Sequence, residues 1–228
     1  MRRAGRRLLA VSPRIYCAAA RSRRGRNRTI VDRRSNLLVE GFPRSGNTYV
    51  VAWLTLARPT LRIASHVHHA AHVRRAQQLG VPALIVMRHP RDAVLSNLVF
   101  DPSSGARRLI EDWIDFYDET ALARAGTVVV TFEAATSDMP GVLARLERST
   151  GLDLRPEAPP PDDAVFALVQ SLGDRRFGGA PDARVARPTT NRGADKDEVA
   201  HLLDRPDLHG LLRDAEARYV ELATENRR

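Results

Sequence analysis

Residues 36–57 constrain this chain more than any other stretch. Asn36-Leu37-Leu38-Val39-Glu40 is a short apolar run that stops at Gly41 and reads as a buried strand. Gly41-Phe42-Pro43-Arg44-Ser45-Gly46 is rich in turn formers and reads as a loop. Residues 47–57 then place Val50, Val51, Leu54 and Ala57 at helical spacing, and Pro59 ends the run. A buried strand that passes through a glycine loop into a helix aims backbone N–H groups at one point. The helix N-terminus adds roughly half a positive charge there, so the unit suits an anion.

The rest of the chain repeats the alternation. Residues 61–65 form a weak second strand, and 70–79 a helix stopped by Gly80. Ala83-Leu84-Ile85-Val86-Met87 is the clearest strand. A helix over 92–99 follows, and 107–124 carries one apolar face through Ile110, Trp113, Ile114, Tyr117 and Ala121. Residues 127–132 are a further buried strand. Asp138 caps a helix over 138–150 that Gly151 stops, and helices over 162–172 and 206–224 follow, separated by a polar stretch rich in Gly, Arg and Pro. Strands alternating with helices predict an α/β fold whose parallel sheet is flanked by helices on both faces, in the manner of P-loop nucleotide triphosphatases.

Charge divides the chain. The net charge is +9, and residues 1–34 hold a dense set of arginines with one acid, Asp32. We read 1–35 as a basic, partly disordered arm and 36–228 as the folded domain. Such an arm suits an anionic surface; no specific nucleic-acid contact is expected. The apolar stretch Leu8-Leu9-Ala10-Val11 is too short for a signal-peptide core, and no run nears the ~20 apolar residues of a membrane span. The one cysteine, Cys17, excludes an intrachain disulfide. The expectation is a cytoplasmic protein that can lie peripherally at a membrane.

Residues 41–48 match the phosphate-loop pattern G-x-x-x-x-G-K-[ST] except that Asn47 stands in place of the lysine. A nucleotide triphosphatase needs that lysine for its β- and γ-phosphates; here the nearest cation is Arg44. A second polar cluster follows the clearest strand. Arg88 is the first polar residue beyond it, and Ser96 lies in the next helix. Ligands of open α/β sheets bind at the carboxyl ends of strands, and arginine offers a planar fork for phosphate.

Phe42-Pro43-Arg44-Ser45-Gly46-Asn47-Thr48-Tyr49 resembles the 5′-phosphosulfate loop of the P-loop sulfotransferase family, commonly written Tyr-Pro-Lys-Ser-Gly-Thr-Thr-Trp. Arg88-His89-Pro90-Arg91-Asp92-Ala93-Val94-Leu95-Ser96 resembles the family's 3′-phosphate signature in the form common among bacterial members. The resemblance runs over about residues 37–154. It implies that 3′-phosphoadenosine-5′-phosphosulfate is the cofactor and that no metal is required. It implies that Arg44 binds the leaving phosphate and the sulfuryl oxygens in flight. Ser45, Gly46, Asn47 and Thr48 would cradle the 5′-phosphate, Tyr49 would stack on adenine, and Arg88 and Ser96 would take the 3′-phosphate. Arg91 and Asp92 read as a local pair and helix cap.

Histidine is suited to accept the acceptor's proton because its pKa lies near neutrality. His66, His68, His69 and His72 cluster between the two motifs. The family's base follows the second strand, which selects His66 with His68 as second choice; Ala64 stands where the family has a lysine. The resemblance also puts Phe132 beside adenine, and Arg192 and Gly193 over the 3′-phosphate. The acceptor reads as a small molecule or a glycan, with its pocket built by residues 101–108 and 173–193. Two other readings compete: a P-loop nucleotide kinase, which requires lysine at 47 and a magnesium-binding aspartate, and a non-catalytic protein binding anions or nucleic acid through the arm.

Overall fold

Four short strands make one parallel sheet in this computed structural model, which describes residues 12–22, 29–121, 126–154, 156, 158–177 and 192–225. They are β1 (Leu37–Glu40), β2 (Ile63–Ser65), β3 (Ala83–Met87) and β4 (Thr127–Thr131), in the order β2-β1-β3-β4. Leu38 pairs with Ala64 on one side of β1 and with Ala83 on the other, and Ile85 of β3 pairs with Val129 of β4. From β1 the chain therefore travels first to one side of the sheet and later to the other. The carboxyl ends of β1 and β3 flank the switch point, where open α/β sheets leave a crevice.

Helices α1 (Pro13–Ser22), α2 (Asn47–Ala57), α3 (Ala70–Gln78), α4 (Pro90–Phe100), α5 (Ala106–Ala121), α6 (Phe132–Ser137), α7 (Met139–Thr150), α8 (Asp162–Phe177), α9 (Arg192–Ala200) and α10 (His209–Glu225) surround the sheet. Successive residues of a strand face opposite ways, so one strand feeds two cores. Leu38, Ile85 and Met87 pack with α3, α4, α5 and α10. Leu37, Val39, Leu84 and Val86 pack with α2, α7 and α8. The sheet is thus covered on both faces, as the continuous apolar runs of β1 and β3 require.

Several elements differ from the sequence reading. Within the arm, Pro13–Ser22 is a helix, with Cys17 buried and Tyr16 stacked on His69 at 4.1 Å between ring centroids. Beyond it, Thr29 pairs antiparallel with Ser65 at the outer edge of β2, and Val31 enters the core. Phe132 begins α6 instead of ending β4, because the Thr131 side chain caps that helix by accepting from the Ala134 N–H. α8 runs to Phe177, so Gly173 belongs to a helix and not to a loop. Residues 178–191 lie outside the described residues. Among the described residues, no helix is long and apolar enough to cross a membrane.

Candidate anion site

The loop from Gly41 to Gly46 turns where β1 and β3 end, and its glycines leave no room for side chains. A Cβ on Gly41 would lie 2.3 Å from the Val86 carbonyl oxygen. Gly46 has φ 95°, and a Cβ there would lie 2.7 Å from Phe132 Cδ2. As the N-cap of α2, Gly46 brings no side chain to accept from that helix's first N–H groups. Those donors stay available to an anion.

Two side chains of the loop turn inward. Ser45 is fully buried, with Oγ 3.3 Å from the Tyr117 hydroxyl. That hydroxyl donates to the Val86 carbonyl at 2.8 Å and accepts from the Phe42 N–H at 3.3 Å. Burial raises the Tyr117 pKa well above its ordinary value, so it stays a phenol and keeps its donor. Asn47 Nδ2 donates to the carbonyls of Gly41 and Phe42 at 3.3 and 3.4 Å. The residue in the lysine position therefore laces the loop to itself, and its Oδ1 is buried without a partner.

Two arginines meet at the outer side of the loop, one from the loop and one from the end of β3. Arg44, at φ 69°, donates from Nε to Ser96 Oγ on α4 at 3.1 Å, and its guanidinium lies over the Phe100 ring at 5.5 Å. Arg88 donates from Nη1 to the Arg44 carbonyl at 3.1 Å and lies 4.4 Å over the Phe132 ring. Burial lowers the Arg88 pKa, opposed by Asp92 and Glu133; guanidinium remains charged across the working range. Arg44, Arg88, Ser96 and Phe132 are thus brought together with the loop. Thr48 faces β2 instead, where its Oγ1 and His66 Nε2 share a hydrogen bond at 3.1 Å. Tyr49 is buried on the other face of the sheet, 5.8 Å from the ring of Phe166 on α8.

The four histidines have separate surroundings. His66 is buried, with Nδ1 2.8 Å from Ser65 Oγ and Nε2 at Thr48. His68 Nδ1 donates to the Gly41 carbonyl at 2.8 Å, and its ring meets that of His66 edge-on at 5.7 Å. His69 caps α3 by accepting from the Ala71 N–H. His72 is fully buried: Nε2 accepts from the Val31 N–H at 2.8 Å, so Nδ1 carries the proton and donates to Glu40 at 2.8 Å.

Arg91 and Asp92 do not pair with each other. Neighbours on a helix do not face one another, and each finds a distant partner: Arg91 meets Asp204 at 2.9 Å, and Lys196 donates to Asp92 at 2.8 Å. Nor does Asp92 cap α4, whose N-cap is His89 without a side-chain bond. The Lys196 contact seats α9 on the first turn of α4. Arg192 and Gly193 begin α9, but their side chains lie outside the described residues.

Sequence reasoning missed Glu40 and the Tyr117 hydroxyl. Glu40 was legible as a charge closing an apolar strand; the partners of Tyr117 are 31, 72 and 75 residues away and leave no local signal. Among the described residues, no group of three or more His, Cys, Asp or Glu could hold a metal ion.

The arrangement defines a parallel α/β protein with a glycine loop and two arginines at its switch point. No protein-family model matches the chain, and no curated protein matches it in sequence. Among solved structures it is similar to the crystal structure of mouse sulfotransferase SULT7A1 complexed with PAP, at 13% identity over 82% of this chain and 89% of that one, with a TM-score of 0.45.

Proposed function

We propose that the chain is a sulfotransferase, transferring a sulfuryl group from 3′-phosphoadenosine-5′-phosphosulfate to a hydroxyl or amine of a small-molecule or glycan acceptor. One observation carries this reading: Arg44 on the loop after β1 bonds Ser96, while Arg88 after β3 bonds the Arg44 backbone. Two motifs far apart in sequence, each suited to a different phosphate, thereby share one site. The kinase reading is disfavoured at Asn47, whose side chain is committed to the loop's own carbonyls.

The bound cofactor supplies an activated sulfuryl group on a phosphate leaving group. The first N–H groups of α2 cradle the 5′-phosphate, together with Ser45, Gly46, Asn47 and Thr48. Arg44 stabilises the negative charge that builds on that phosphate as the sulfur–oxygen bond breaks. Arg88 and Ser96 hold the 3′-phosphate, with Arg192 and Gly193 closing over it, and Phe132 borders the adenine; Tyr49, packed on Phe166, takes no part. His66 takes the proton released as the acceptor oxygen or nitrogen bonds sulfur. Its hydroxyl neighbours, Ser65 and Thr48, suit either ring tautomer.

The test is transfer of radiolabelled sulfuryl groups by the purified chain to phenols, steroids, glycans and lipids, with EDTA present. Labelled product from at least one acceptor class is expected. Phosphoryl transfer from ATP that requires magnesium, with no sulfuryl transfer, would contradict the proposal.

A further inference from the structure

Glu40 closes β1 as a fully buried carboxylate directly before the anion loop. A buried charge is costly unless hydrogen bonds satisfy it. Here Oε1 accepts from the Val67 N–H at 2.7 Å and from His72 Nδ1 at 2.8 Å, and Oε2 accepts from the His68 N–H at 3.0 Å. His68 Nδ1 lies 3.6 Å from Oε2. All these partners belong to the segment after β2, where His66 and His68 both hold left-handed backbone, φ 66° and 53°. That conformation is unfavourable for residues with a Cβ and persists only where the surroundings enforce it. The N–H groups that follow His66 and Val67 point at the carboxylate, and this supplies the enforcement.

We propose that Glu40 is the positioning residue of the histidine segment, fixing the backbone that carries His66 and the Nδ1–H tautomer of His72. The inference rests on the reading above, in which a histidine of this segment takes the acceptor's proton. Glu40 touches neither cofactor nor acceptor and acts only through the segment it holds. The titratable groups facing it are His68 and His72; around His66 stand the Thr48 and Ser65 hydroxyls and the His68 ring. The carboxylate's negative charge favours the imidazolium that proton uptake creates nearby.

Glu40→Gln and Glu40→Asp test this in the sulfuryl-transfer assay, with kcat followed against pH and bisphosphate affinity measured by calorimetry. Glu40→Gln should lower kcat at least ~10-fold, without exceeding the ~10²–10⁴ that loss of the base itself costs. Bisphosphate affinity should stay close to that of the unaltered chain. The acidic limb of the kcat profile should move to lower pH, because removing an anion destabilises imidazolium. Glu40→Asp should restore part of the loss. Unchanged kcat and an unchanged profile in Glu40→Gln would overturn the proposal. Should the variants not fold, nitrogen-15 histidine spectra of the unaltered chain give a separate reading: an Nδ1–H tautomer at His72 is expected at neutral pH, and Nε2–H there overturns it. A chain that transfers no sulfuryl group yet shows this tautomer would count against the sulfotransferase reading and not against the role of Glu40.

Discussion

Arg44 Nε donates to Ser96 Oγ at 3.1 Å, a bond that spans 52 residues and joins the glycine loop after β1 to the helix after β3. Under the sulfotransferase proposal Arg44 touches the cofactor in the ground state and the transition state alike, while His66 touches only the acceptor. Arg44→Ala should therefore lower turnover ~10²–10³-fold and weaken bisphosphate binding. His66→Ala should lower turnover ~10²–10⁴-fold with bisphosphate affinity nearly intact. Turnover and calorimetry on both variants check this. Full turnover in His66→Ala with loss in His68→Ala would move the base by two residues.

The Tyr117 hydroxyl supports the loop from beneath. Tyr117→Phe removes its contacts to Val86, Phe42 and Ser45 in a buried place, at a cost of ~1–3 kcal/mol. For a chain of this size the melting temperature should fall by ~2–10 °C. Calorimetric melting of Tyr117→Phe reads the shift directly; an unchanged melting temperature would mean that the hydroxyl carries none of the loop's stability.

Gly46→Ala forces a Cβ into left-handed backbone and toward the Phe132 ring. The backbone part alone costs ~1–2 kcal/mol. In a Phe132→Ala background the contact is relieved while the backbone cost stays, so the substitution should be less harmful there. A denaturant double-mutant cycle measures the coupling, and strict additivity would show that the ring does not confine the loop.

What the sequence made legible follows from where its signals are local. β1, α2 and β3 could be read because apolar runs end at turn formers: Gly41 after β1, Pro59 after α2, the Arg88–Pro90 turn after β3. α9 could not, because Arg192–Ala200 has little apolar face and is held by a distant contact, Lys196 to Asp92. α1 lay hidden in an arginine-rich stretch, where charge outweighed the pattern of Tyr16 and Cys17. Arg44, Ser96 and Arg88 could be listed from motifs, but that Arg44 bonds Ser96 is a product of parallel strand packing. Glu40 escaped notice for the same reason. Its partners sit on the loop after the neighbouring strand and on α3, and one strand pairing in register brings them together.

Glu40 also ties stability to acid. Burial by itself raises its pKa, but the His72 hydrogen bond, electrostatic attraction to His68 and His72 and the Val67 N–H outweigh it and hold the value at about 2, below the ordinary 4.5. A depressed carboxylate stabilises the fold above its unfolded-state pKa. That contribution, on the order of 3 kcal/mol, is lost as pH falls from about 4.5 through about 2. Urea denaturation between pH 5 and 2 should show a loss of stability that is smaller in Glu40→Gln. Parallel losses in the two proteins would mean that Glu40 does not titrate as its surroundings require.

The central claim is that one site holds two separate phosphates, and calorimetric titration of the unaltered chain tests it most directly. Adenosine 3′,5′-bisphosphate should bind clearly more tightly than 5′-AMP, since Arg88 and Ser96 would hold the 3′-phosphate. It should also bind at least as well as ATP with magnesium. Equal affinity for the bisphosphate and 5′-AMP, or a preference for ATP that depends on magnesium, would contradict the account.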